Sequence, residues 1–155
     1  MLNSREIKIY KNIDFIRRYE ALSTNFQIDD ELNYSKEEVV SIIKALGYDV
    51  KFMKKNNFFK IEQKIDGIKF YFHICLKYSL VELIVGALYN ENNIFITGDV
   101  FGGLYKDMQP LQGVELGKGI NKPSFSSYSE LTEILKEAFS IYEDFKTEVI
   151  KEYGE

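Results

Sequence analysis

Apolar and polar residues alternate on both sides of one dipeptide, Asp66-Gly67, in the stretch FFKIEQKIDGIKFYFHICL. A period of two is the signal of a half-buried strand, and Asp-Gly is a favoured two-residue hairpin turn. The pattern predicts a hairpin in which Ile65 faces Ile68, Gln63 faces Phe70, Ile61 faces Phe72 and Phe59 faces Ile74. Those residues share one largely apolar face. The other face pairs Lys64 with Lys69, Glu62 with Tyr71, Lys60 with His73 and Phe58 with Cys75. Two further runs, LVELIVGALY and NIFITGDVF, read as a second hairpin across Asn90 to Asn93.

Helical spacing frames these strands. SKEEVVSIIKALG places Ser35 as N-cap with Glu38 three residues on, an apolar stripe of Val39, Ile42, Ile43 and Leu46, and Gly47 for a left-handed C-terminal turn. SYSELTEILKEAFSIYEDFKTEVIKEYG repeats the design with Ser127 and Glu130. Its stripe runs through Leu131, Ile134, Leu135, Ala138, Ile141, Tyr142, Phe145, Val149 and Tyr153. An N-terminal helix through NIDFIRRYEAL turns Ile13, Ile16, Tyr19 and Leu22 inward. The stretch GGLYKDMQPLQGVELGKGINKPSF, rich in glycine and without a clear period, reads as a long loop before the last helix. Together these elements predict a single α+β domain over residues 1–155. It has an antiparallel sheet of four to five strands packed by helices, and a long C-terminal helix covers one face.

A chain of 155 residues buries roughly 70% of the surface its unfolded form exposes, so it needs neither disulfide nor metal to hold a core. One cysteine and one histidine make an internal disulfide impossible and a four-ligand zinc site improbable, and no cofactor is implied. The segment MLNSREIKIYKNIDF is charged and periodic, unlike a secretion signal, and no apolar run reaches the length of a membrane span. A cytoplasmic location is expected. The net charge is −4, unevenly spread: residues 1–78 carry +3, residues 79–126 carry −2 and residues 127–155 carry −5. No basic face stands out in the linear sequence, so direct nucleic-acid binding is not expected.

Candidate chemistry is sparse. His73 and Cys75 lie two apart on a strand, so they point the same way and do not converge as a nucleophile and its base must. Either they are a half-buried pair or His73, with Tyr71, faces a partner. The glycines of GDVFGG and GVELGKGINK miss both phosphate-binding patterns: Lys118 is followed by Gly119, where a magnesium-binding hydroxyl is required. Glu82 and Asp99 could form an acid–base couple only if the fold brought them together. On the C-terminal helix, Glu133, Glu137, Asp144 and Glu148 cluster within about 60° of azimuth at 100° per residue, opposite the apolar stripe. Such a ridge is either a solvated face or a docking face for a basic partner.

Two stretches carry a likeness: KKNNFFKIEQKIDGIKFYFHICLKYSLVEL and KPSFSSYSELTEILKEAFSIYEDFKTEVI. A Lys/Tyr/Phe-rich hairpin ahead of a Ser-capped acidic C-terminal helix resembles the small cytoplasmic immunity proteins of bacterial polymorphic-toxin and contact-dependent growth inhibition systems. The likeness is one of layout and transfers no site residues. It implies a non-enzymatic inhibitor of one cognate toxin, often a nuclease with a basic cleft. The alternatives are a small enzyme using Asp99, Lys106 or Asp107 in the loop of residues 98–123, or a non-catalytic adaptor. The oligomeric state is not legible.

Overall fold

The Asp66-Gly67 hairpin forms with the expected register at every position, from Ile65 opposite Ile68 to Phe59 opposite Ile74. The computed structural model describes residues 2–27, 30–109 and 119–154. Its sheet has five antiparallel strands in sequence order: β1 (Lys51–Met53), β2 (Phe58–Ile65), β3 (Ile68–Lys77), β4 (Leu80–Tyr89) and β5 (Phe95–Val100). Each strand therefore pairs with its sequence neighbour, and β3 lies at the centre. Asp66 and Gly67 both take positive φ, as the tight turn requires.

Five helices are described: α1 (Ser4–Asn12), α2 (Phe15–Asn25), α3 (Lys36–Ala45), α4 (Phe101–Met108) and α5 (Tyr128–Tyr153). The chain is a single α+β fold, with α5 as a principal cover of the sheet. The inward residues of β3, namely Ile68, Phe70, Phe72, Ile74 and Leu76, are all buried. Phe72 stacks on Tyr142 at 5.0 Å and meets Phe139 and Phe101 edge-on or tilted, while Phe70 meets Phe145. The stripe expected on α5 is buried from Leu131 to Val149, and it is wider than expected because Phe139 and Lys146 are buried too. The Lys146 ammonium donates to Gln63 at 2.6 Å, pairs with Glu143 at 2.9 Å and lies over the Tyr142 ring. That satisfies a charge which burial would otherwise penalise.

Three local features depart from the sequence reading. The helix expected through residues 12–22 starts only at Phe15, after a break at Asp14, whose φ of 57° lies in the left-handed region, and a separate helix, α1, precedes it. The reciprocal capping box is at Asn3 and Glu6, where each side chain accepts the other's backbone N–H. Ser35 and Ser127 cap their helices as expected, but Glu130 turns back one residue further, accepting from the backbone and hydroxyl of Ser126. Finally, Phe101–Met108 is helical rather than loop. Phe101, Leu104, Tyr105 and Met108 repeat at helical spacing and are buried, which outweighs the cost of Gly102 and Gly103. Residues 110–118, which include Lys118 and its neighbouring glycines, lie outside the described residues.

Candidate binding surface

Helices cover one face of the sheet, and alternation leaves the other face with half-exposed side chains. On the central strand these are Lys69, Tyr71, His73, Cys75 and Lys77. The register sets Glu62 and Gly86 on either side of Tyr71, and Lys60 and Ile84 on either side of His73. His73 packs between two rings, with its centroid 4.4 Å from Phe58 and 5.0 Å from Tyr71. The result is a row of three rings running from β2 onto β3.

Gly86 explains where Tyr71 sits. A Cβ built on Gly86 would lie 2.0 Å from Cζ of Tyr71 and 2.2 Å from its hydroxyl oxygen, so the phenol end of Tyr71 crosses directly over this glycine. Any larger residue there would displace the ring. Gly98, opposite Gly86 on β5, holds a φ of 141° with the Val85 carbonyl against the position of a Cβ. That backbone needs glycine for a different reason. At one end of this face Phe95 is 55% exposed and at the other Leu80 is exposed, and Ile94 and Tyr78, in the connections beside them, are exposed too. Large apolar side chains in such positions are features of contact surfaces.

The electrostatics of His73 and Cys75 are unfavourable for catalysis. Burial, reinforced by Lys60 and opposed by Glu62, holds the His73 imidazole below its ordinary 6.5, so it is neutral at pH 7. Burial and Glu82, opposed by Lys122, push the Cys75 thiol up, which disfavours the nucleophilic thiolate. His73 is engaged with rings on either side rather than with the thiol. The other candidate chemistry is dispersed. Glu82 projects from the uncovered face and pairs with Lys122 at 2.8 Å, whereas Asp99 lies opposite Val85 on the helix-facing side. Asp99 accepts from the backbone of Val100, while Lys106 and Asp107 are exposed on α4. Among the described residues, no group of three His, Cys, Asp or Glu side chains could hold a metal ion, and no helix is long and apolar enough to cross a membrane.

The acidic residues of α5 do lie along one side of that helix, but α1 and α2 dock against it. Arg18 of α2 donates to Glu137 at 2.9 Å and to Asp144 at 2.7 Å, and adds Ser140 and the Ile13 carbonyl. Its side chain is only 14% exposed. Burial alone would lower its affinity for a proton; the bonds to Glu137 and Asp144 more than reverse this. Glu148 accepts from Asn12 at 2.9 Å and pairs with Lys151, and these contacts hold it below the usual carboxylate range. Glu152 pairs with Arg5 and Lys8. Glu133 is the most exposed of the four expected acids and has Lys136 at 4.0 Å. The ridge is thus largely a seam between helices, with its charges matched inside the fold. Sequence reasoning missed Arg18 because the partner lies on a helix more than a hundred residues away. No family model, curated protein or solved structure matches this chain.

Proposed function

We propose that this protein is a non-catalytic inhibitor of the immunity type, which binds one cognate protein toxin and docks on it through the uncovered face of the sheet. The observation that supports this reading most is the ring row of Phe58, His73 and Tyr71, seated over Gly86 on a face whose ends carry exposed Phe95 and Leu80. Rigid aromatic anchors on a strand scaffold make contact area at small entropic cost, and such residues dominate binding energies. The acids of α5 contribute less to docking in this reading, because Arg18, Arg5, Lys8 and Asn12 already engage them.

The test is purification of the tagged chain from the cells that make it, beside a Gly86→Ala variant in which Tyr71 must leave its seat. The wild-type chain is expected to carry one protein in near-equimolar amount. That protein, produced without the chain, is expected to arrest growth, and the chain is expected to restore it. Gly86→Ala is expected to keep a cooperative fold and lose most of the partner, since only the far end of a side chain obstructs the new methyl group. A captured protein that is harmless by itself would remove the toxin reading. Full capture by Gly86→Ala, with Tyr71 shown to be displaced, would remove the sheet face.

A further inference from the structure

The fold gathers a charge that the linear sequence does not display. The register aligns Lys51 of β1, Lys60 and Lys64 of β2, and Lys69 and Lys77 of β3 on the uncovered face. Against them stand Glu62 and Glu82. Both are engaged: Glu62 holds Lys60 at 2.9 Å and has Lys69 at 3.8 Å, and Glu82 holds Lys122. Among the described residues, Lys51, Lys64 and Lys77 make no ion pair. An acidic protein, with a pI near 5.2, therefore presents a basic, ring-bearing patch.

We propose that this patch recognises an acidic polypeptide surface, with Lys51 and Lys64 pairing partner carboxylates around an apolar centre formed by Phe58, His73 and Tyr71. This deepens the proposed function, on which it rests, by assigning the chemistry of the partner's contact surface. Charge complementarity argues for an anionic occupant, because unpaired lysines around half-buried rings attract and orient carboxylates as they desolvate. One observation favours polypeptide over single-stranded nucleic acid. Ile84, Leu88 and Val100 continue the patch across β4 and β5 as aliphatic surface, which suits side chains rather than stacked bases.

The test uses the full chain, labelled with nitrogen-15, and a synthetic acidic peptide with interspersed phenylalanine, EEDFEEDFEEDE. A single-stranded oligothymidylate is titrated in a second arm. At low salt the peptide is expected to shift amide signals of β2, β3, β4 and β5 selectively. The double variant Lys51→Glu/Lys64→Glu is expected to weaken it by at least about fivefold, as is a rise to physiological salt, where screening shortens to about 8 Å. Its unchanged spectrum elsewhere would show that the fold is kept. Shifts confined to the helical layer, no saturable shift at all, or equal binding by the lysine variant would overturn the proposal. So would tighter binding of the oligonucleotide at the same residues, which would make this a nucleic-acid surface. Failure of these arms is separate from failure of the proposed function, which is read from the captured protein and its toxicity.

Discussion

Truncation of Phe72 to alanine is expected to lower stability by about 3 to 5 kcal/mol, read as a lower urea midpoint with an unchanged slope. Phe72 is fully buried at the centre of β3. Its ring stacks on Tyr142 with the two planes 9° apart, and it also touches Phe139 and Phe101, so one side chain joins the sheet to α4 and α5. Removing it forfeits the transfer energy of a phenyl group and leaves a cavity. Three rings held by two helices, α4 and α5, can only partly fill that space. A loss under about 1 kcal/mol would contradict the packing described for the sheet and its helices.

Replacement of Arg18 by methionine is expected to cost about 1 to 3 kcal/mol, between the values for exposed and for buried ion pairs. The guanidinium is largely enclosed, but Glu137 and Asp144 are 41% and 55% exposed, so water recovers part of what they lose. What remains is two carboxylates on one side of α5 without their shared cation, and a weaker attachment of α2. The same reasoning changes the expectation for the acidic residues. Charge neutralisation of Glu133, Glu137, Asp144 and Glu148 should destabilise the protein, whereas a free solvated ridge would leave stability nearly unchanged. A methionine variant within about 0.5 kcal/mol of wild type, measured at low and physiological salt, would mean that the clasp is incidental.

These two residues also show how much the sequence can disclose. The burial of Phe72 was legible because a period of two and an Asp-Gly turn fix a register locally. Once the register is fixed, every residue's face follows. The same logic placed Tyr71 and His73 on the uncovered face. Arg18 was not legible, since its meaning depends on α2 packing against α5, and the helical periodicity of each says nothing about the other. The break at Asp14 was hidden because a continuous apolar stripe fits one helix or two. Helix α4 was hidden by Gly102 and Gly103, which lower intrinsic propensity although burial of Phe101, Leu104 and Met108 overrides it. The basic patch needed β1, three residues long, to bring Lys51 beside Lys60. So short a strand carries almost no periodic signal.

Covalent footprinting of the captured complex would show whether the uncovered sheet face meets the partner. Lysine acetylation and oxidative labelling, each with and without the bound protein, report on individual side chains. Binding is expected to protect Lys51, Lys64, Tyr71 and Phe95, while Lys11 of α1 and Lys136 of α5, both exposed on the helical layer, keep their reactivity. Protection of Lys136 and Lys11 with the sheet-face residues unchanged would rule out the sheet face and move the docking surface to the helices.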